Sequence, residues 1–473
     1  MGVPNVMHTG RSGMMASKAA IATTGHNISN ANTEGFSRQR VETSNLTPQG
    51  SSGSHALVGS GTQISRVDRV NDEYVEKQIR SGAREMATME ERDMALRQSE
   101  DIFNEMNGDG LNRLISRFFN EFRKLSNEPD NEAVRQSVRE SSSAMVNDFK
   151  RLRREVDEVR RNIDSRLEGY AKEVNSLVDE VRDLNIKIKA MEVGGAPPND
   201  LLDKRDLALK KLGTYMELTT HKDGQGGYVV DIKGVGPLVV GGQTEKFSVF
   251  RSPADEDGKP EGAMELRTSA SASSNITHRI KTGKFGALLD VRDNTLSTIL
   301  DRLDDLAYAV TNSVNGIHEQ GFTRFGSQGV SFFRNLNAKE RAAEFMDLSD
   351  EIKASVNNIA AAAEQDAPGD NRVAIAISGI QSAKILSQGK STMDDFYNSI
   401  VSDIGVATAR NRSGMNQQRD VNTQLNKIRD QISGVSIDEE TANLMQFQHM
   451  FDASAKVIQV ADEMLKTVLE LKR

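Results

Sequence analysis

The sequence predicts a mainly α, elongated, multidomain protein with a small antiparallel β region, its N- and C-terminal helices paired as a coiled coil. Three observations carry that expectation. Near the start, Met7, Met14, Ile21 and Ile28 fall one heptad apart, with the small residues Gly10, Ser17 and Thr24 between them. Near the end, Leu444, Phe447, Phe451, Ser454, Ile458, Ala461, Leu465 and Val468 keep alternating steps of three and four. That 3.5-residue period holds one seam against a partner helix. Between these ends, residues 132–193 contain no proline and a single glycine. One helix of about 60 residues, roughly 90 Å long, is expected there.

The remaining elements follow in order. The first helix stops in His26-Asn-Ile-Ser-Asn-Ala-Asn-Thr-Glu-Gly-Phe-Ser-Arg-Gln-Arg40. Asn30 and Asn32 tolerate left-handed backbone, Gly35 supplies a positive φ at no steric cost, and Phe36 begins an extended run through about residue 66. From Val67 to about Asn107 the apolar residues return at helical intervals until Asn107-Gly-Asp-Gly110 stops them. Leu111 to Leu125 makes an amphipathic helix that ends at Asn127-Glu-Pro-Asp130. The long helix carries one apolar stripe, including Met145, Phe149, Leu152, Val156, Val159, Ile163, Leu167, Val174, Leu177, Val181, Leu184 and Ile188, which must lie on other helices. It breaks at Gly194-Gly-Ala-Pro-Pro198, and Asn199 to Asp206 opens the next helix.

From Thr214 to about Thr282 the period shifts to two, with strands at 228–232, 237–240, 247–250 and 264–266 between glycine turns at 223–224, 226–227, 241–242 and 257–258. Lys284 to His318 reads as helix, residues 320–350 are mixed with room for a hairpin, and Ala360–Ala363, Val373–Ile385 and Met393–Ser433 read as helix. Ser436 with Glu439 makes a capping box for the final heptads.

At 473 residues the chain exceeds one ordinary core. The expected division is 1–65 with 434–473 as a terminal helical domain, 66–213 with 283–433 as a long-helix domain, and 214–282 as a small β region to which 320–350 can be added. Aromatics are 5%, tryptophan is absent and charged residues are 27%, which favours long solvated helices over a large core. Zero cysteines exclude disulfides and thiolate chemistry. Met-Gly-Val-Pro-Asn-Val-Met-His at the start is no secretory signal, and no run reaches the 18 apolar residues of a membrane span. Composition alone places such a chain in the cytoplasm.

A net charge of −8 argues against nucleic acid. The basic run Lys150–Arg161 is interleaved with Glu155, Asp157 and Glu158, the pattern of a solvated helix face. The seven histidines show no metal-ligand spacing. Asp255-Glu-Asp-Gly258 fails as a calcium loop, because Pro260 and Leu266 occupy the positions of the obligatory glycine and glutamate. Gly224-Gln-Gly-Gly227 precedes a strand, whereas a dinucleotide loop opens a helix. No cofactor, no metal and no catalytic residue is expected, and the chain is not read as an enzyme.

The stretch Asn32-Thr-Glu-Gly-Phe-Ser-Arg-Gln39 closely resembles the signature of bacterial flagellar axial proteins, and its Ser37-Arg38-Gln39 ending resembles the FlgK family of hook-associated proteins. Asn199 to Asp206, and Gly286-Ala-Leu-Leu289 with Leu306, Ala307, Val310, Asn312, Asn315 and His318, resemble the same family. The resemblance implies a structural subunit at the hook-filament junction, exported unfolded through the flagellar type III system without a cleaved signal and located outside the cell. Implied partners are further copies of the chain, the hook protein, the second hook-filament junction protein and a cytoplasmic export chaperone, with no nucleic acid and no membrane. Met7, Met14, Ile21 and Ile28 with Leu444, Phe447, Phe451, Ile458, Ala461, Leu465 and Val468 become an assembly seam. Asn27, Asn30, Asn32, Thr33, Gly35, Phe36, Ser37, Arg38 and Gln39 become the signature turn. A hook or rod subunit shares much of that turn, and a surface coiled-coil adhesin or wall hydrolase is the alternative from another class. Because Met7, Gly10 and Met14 pack weakly, the ends are expected to gain order on assembly.

Overall fold

The computed structural model describes residues 3–46, 59–103, 110–193, 198–222, 228–251, 263–269, 275–367 and 369–470. Helix α1 (Val3–Ser29) leads through a turn to strands β1 (Gln39–Asn45) and β2 (Thr62–Arg69), paired antiparallel with Gln39 opposite Arg69. Helices α2 (Glu73–Ile102), α3 (Leu111–Asn127), α4 (Glu132–Glu192) and α5 (Asn199–Gly213) follow. Strands β3 (Leu218–Lys222), β4 (Tyr228–Ile232), β5 (Gly236–Val240) and β6 (Gln243–Thr244) form an antiparallel sheet in chain order. A separate antiparallel pair joins β7 (Phe247–Arg251) to β8 (Met264–Thr268). Helices α6 (Gly283–Asp290) and α7 (Ser297–His318) run on through a π-helical turn, Val291–Leu296. Short helices α8 (Ala342–Phe345), α9 (Asp350–Ala354) and α10 (Arg372–Gly379) precede α11 (Met393–Ser433) and α12 (Ile437–Glu470).

The body is built around α4, a 61-residue helix opened by Asn131, whose side chain accepts from the amides of Ala133 and Val134. The stripe expected from its sequence is buried, except that Leu177 is half-buried. Three buried arginines tie other elements to this spar. Arg135 donates to the carbonyls of Pro129 and Ile359, and Arg153 meets Asp304 of α7. Arg292, 1% exposed in the π turn, donates to Asp164 of α4 and to the Met264 carbonyl of β8, both at 2.6 Å. Near Arg135, Phe118, Phe122, Phe332 and Phe333 pack edge to face or tilted, at centroid separations of 4.9 to 6.0 Å.

Several sequence expectations change. Ala360–Ala363 is not helix: it is irregular, with Ala362 bridging Phe322, because its backbone is taken by neighbours rather than by its own turn. Residues 320–350 hold isolated antiparallel bridges, Phe322 to Gln328 and Phe333 to Leu348, in place of a hairpin. The helix read from Val67 begins at Glu73, since Val67 to Arg69 still pair with β1 and Asp72 caps α2. That read over Val373–Ile385 ends at Gly379 and passes into a single 3-10 turn. Strands β3 and β6 were not anticipated. The stop at 107–109, the break at 194–197, the turns at 223–224, 226–227 and 257–258, the stretches 224–227 and 255–258, and His55 lie outside the described residues.

Asn315 and His318, near the end of α7, organise this irregular region. Asn315 exchanges two hydrogen bonds with the backbone of Phe333, at 2.9 and 2.8 Å. Fully buried His318 donates from Nδ1 to the Val330 carbonyl and accepts the Ala360 amide at Nε2 at 2.8 Å. Protonation would destroy that acceptor, and burial lowers the imidazole from its ordinary 6.5 to about 4. A group whose folded pKa is depressed stabilises the fold above its unfolded value and loses that contribution as pH falls towards the folded one. Native stability should therefore drop by up to about 3 kcal/mol between pH 6.5 and 4 from this residue. Urea unfolding across that window, compared with His318→Gln, measures it; a folded-state ring titrating near 6.5 by NMR would contradict the assignment.

Candidate assembly interface

The two ends of the chain meet as α1 against α12. On α1 the buried residues are small: Gly10, Ala16, Ser17, Ala20, Thr24 and Asn27. A Cβ added at Gly10 would lie 2.8 Å from Ile458 Cγ1 and 3.3 Å from the Ser454 carbonyl, so the helices approach there as closely as backbone allows. Met7, Met14, Ile21 and Ile28 are half-buried beside this row. On α12, Ala461 is buried, Leu444, Phe447, Phe451, Ser454, Ile458 and Leu465 are half-buried, and Val468 is 56% exposed. A second apolar row on α12 faces solvent: Met450, Val457, Val460 and Met464, at spacings of seven, three and four, are between 40% and 50% exposed, and Met445, on another flank, is 54% exposed.

At the base of this pair the signature turn is a junction of four elements. Three consecutive amides leave in three directions. Ser37 donates to Asp203 of α5 at 3.0 Å, Arg38 to the Ser433 carbonyl of α11 at 3.0 Å, and Gln39 to the Asn27 side chain of α1 at 2.9 Å. The Asn27 amide group gives one proton to the Gln39 carbonyl and another to Glu440 of α12, at 2.9 and 3.0 Å. Arg38 pairs with Glu440 at 2.7 Å and with Glu439 at 3.2 Å. Ser436 accepts the Glu439 amide at 3.4 Å, but the Glu439 carboxylate turns to Arg38, so only half of the expected capping box forms.

The conformation of the turn follows from its residues. Gly35 takes the positive φ, +81°, and a Cβ there would press on Leu207 of α5 at 3.2 Å. Asn30 does not adopt left-handed backbone; its amide bonds back to the His26 carbonyl at 3.0 Å, and Thr33 donates to its side-chain oxygen. Asn32 and Thr33 are exposed, while Phe36 packs edge-on against His26, 5.4 Å between centroids, and its carbonyl accepts from Arg429.

The docking partner on α5 is an acidic ladder. Asp200, Asp203 and Asp206 stand at three-residue steps, so they share one helix face. Asp200 accepts from Gln39 at 2.8 Å and lies 3.2 Å from His26 Nε2. Arg69 at the end of β2 bridges Asp203 and Asp206, at 2.7 and 2.9 Å. Burial pushes the Asp203 carboxyl up, with Arg69 and the Ser37 amide pulling against it. Sequence reading found the turn and the 199–206 segment separately and missed their contact. The only advance signal was that three-residue spacing. Among the described residues no group of His, Asp or Glu is placed to hold a metal ion, and no helix is long and apolar enough to cross a membrane.

The family profile described as the flagellar hook-associated protein FlgK helical domain matches residues 96–333, half of the chain. The chain belongs to the FlgK family. Two more profiles match its ends: flagella basal body rod protein over residues 7–36, and flagellar basal body rod FlgEFG protein C-terminal over 430–471. They cover α1 with its turn, and α12. Flagellar hook-associated protein 1 of Bacillus subtilis is 28% identical over 98% of this chain and 97% of its own. That of Escherichia coli is 24% identical over 99% of this chain and 100% of its own. The structure of the flagellar hook junction protein FlgK from Burkholderia pseudomallei shares the fold, with a TM-score of 0.66 at 15% identity over 75% of this chain and 100% of that one. As a FlgK-family member the chain is a structural component of the bacterial flagellum, with its role at the hook-filament junction. The mainly α, elongated fold with paired terminal helices agrees with the sequence expectation.

Replacing Asn27 with alanine leaves the Gln39 amide and buried Glu440 each short of a partner, at a cost of about 2 kcal/mol. Amide exchange should then quicken in 39–45 and 437–445 while α4 stays protected; uniform exchange across all three would refute a local clasp. Gly10→Leu should quicken exchange in α12 around Ser454 and Ile458 and leave the turn intact, read in the same experiment.

Proposed function

We propose that the α1–α12 pair is the surface by which copies of this chain pack into the axial tube, with the long-helix body forming the shell around it. The carrying observation is the solvent-facing row of Met450, Val457, Val460 and Met464 on α12, a helix that buries only Glu440 and Ala461. Contiguous exposed apolar surface of this kind marks an interaction site. The heptad residues Met7, Met14, Ile21, Ile28, Leu444, Phe447, Phe451, Ile458, Ala461 and Leu465 hold the pair together, Val468 joins the outward surface, and the signature turn sets the pair on the body.

On this reading the working units are the terminal pair, the long-helix body and the β region at 214–282. Contacts between copies are head to tail, so one surface used twice continues the lattice above and below. The hook protein lies on one side and the second junction protein on the other. Before export, a cytoplasmic chaperone covers the α12 row, and the subunit leaves through the flagellar type III channel without a cleaved signal to act outside the cell. The role is mechanical and needs no catalytic group. α12 buries only Glu440 and Ala461 of its 34 residues, which supports terminal helices that gain much of their stability from neighbours.

Deleting the gene in its host should leave naked hooks on the cells and monomeric flagellin in the medium, seen by electron microscopy and by blotting. Absent hooks would move the chain to the rod or hook, and normal filaments would refute the flagellar role. Removing residues 437–473 should abolish capture by the chaperone; retained capture would place that contact elsewhere.

A further inference from the structure

The chain has 18 methionines and no cysteine, so all of its oxidisable sulfur is thioether. These thioethers are unevenly placed. Met145, Met216, Met346 and Met393 have no exposed surface. On the terminal pair, by contrast, Met15 is 57% exposed, Met445 54%, Met464 50% and Met450 49%. Two of these four, Met450 and Met464, lie in the same α12 row as Val457 and Val460, and Met445 is exposed on another flank of that helix. Exposed thioether thus lies on the two helices that assembly is proposed to cover, and Met94 and Met191 are comparably exposed elsewhere.

We propose that Met15, Met445, Met450 and Met464 are peroxide-modification sites, and that their sulfoxides block incorporation of the free subunit. In each step the thioether sulfur gives an electron pair to one peroxide oxygen. The O–O bond breaks, an S–O bond forms, and the second oxygen leaves as water. Sulfur is oxidised by two electrons and hydrogen peroxide is reduced by two. The product is no longer an apolar, adaptable side chain but a polar one that demands hydrogen-bond partners. The flanking Val457 and Val460 offer none, so covering the sulfoxide against a neighbouring helix leaves it unsatisfied. Once a subunit is packed, the same sulfurs are out of reach, which confines sensitivity to the unassembled chain. Reversal requires a dithiol reductant acting through a methionine sulfoxide reductase, since this chain has no thiol of its own.

The inference rests on the assembly reading above, and the test separates the two. Purified full-length chain is exposed to graded hydrogen peroxide, sulfoxides are mapped by peptide mass spectrometry, and addition to isolated hooks is counted by electron microscopy. The four named methionines should oxidise at least tenfold faster than Met145, Met216, Met346 and Met393. Incorporation should fall at least tenfold, then recover after treatment with both stereospecific reductases and a dithiol. Met94 and Met191, 46% and 51% exposed but on α2 and α4, should oxidise without that penalty and serve as internal controls. The chain with all four residues changed to leucine should incorporate normally and ignore peroxide. Should that combination not incorporate even untreated, each single Met→Leu variant should retain incorporation and lose part of the sensitivity. Leucine variants that assemble yet remain as sensitive as the native chain would overturn the inference, as would undiminished incorporation of a chain oxidised at all four sites. Failure of untreated native chain to add to hooks would overturn the assembly reading beneath it.

Discussion

Glu440 is a carboxylate held almost out of water at the point where the two ends of the chain meet, and much of the terminal architecture depends on how it is satisfied. A lone buried charge costs several kcal/mol, and breaking a buried pair leaves that cost uncompensated. Arg38 and Asn27 supply its partners, one from the signature turn and one from α1. The consequence is register. A heptad seam of Gly, Ser, Ala and Thr is nearly the same after a slip of seven residues, so packing alone defines the pairing of α1 with α12 weakly. A slip would strand Glu440, Asn27 and Arg38 together. Polar groups therefore decide which residues face each other, and apolar contact supplies the adhesion.

Adhesion is distributed unevenly along the molecule. The body has α4 sealed on one side by α3, α5, α7 and the β elements, with arginines threaded between them. The arm between body and terminal pair, α2 against α11, is held more by polar bonds: Asn411 donates to the Met89 carbonyl and Asn422 to that of Gly82. Beyond it, α12 has only two buried side chains. Local stability should fall in that order, because protection follows buried apolar contact. The gradient suits a subunit with a rigid shell and ends completed by neighbours.

What the sequence made legible divides along physical lines. Helices with local signals were read closely: α4 has a capping Asn131, one stripe and no breaker for 61 residues, and α11 ran from Met393 to Ser433 as expected. Ala360–Ala363 misled because alanine propensity is a weak prior, and here backbone groups are claimed by Phe322, His318 and Val373. Strand β6 has two residues, too few to show a period. The heptad pattern drew attention to Met7, Met14, Ile21 and Ile28, whereas the closest approach is made by the small residues between them. Large side chains announce a pattern in sequence, but close packing of helices is announced by their absence. The acidic ladder was invisible for a different reason: Asp203 and Ser37 are 166 residues apart, and nothing local says that one receives the other's amide.

The contrast between clasp and outward row bears on how one chain can serve between two unlike polymers. Charged and hydrogen-bonded contacts are directional, and a partner that misplaces them is rejected. They are concentrated inside the molecule, where the partner never changes. The face proposed for neighbours instead carries Met450, Val457, Val460 and Met464, and methionine has three rotatable bonds and a polarizable sulfur that accommodate differing surfaces. On the proposed reading, specificity of fold and tolerance of neighbour are thus assigned to different chemistries on the same two helices. Tolerance has a consequence of its own, since the flexible, exposed thioethers that permit adaptation are also the groups an oxidant reaches first.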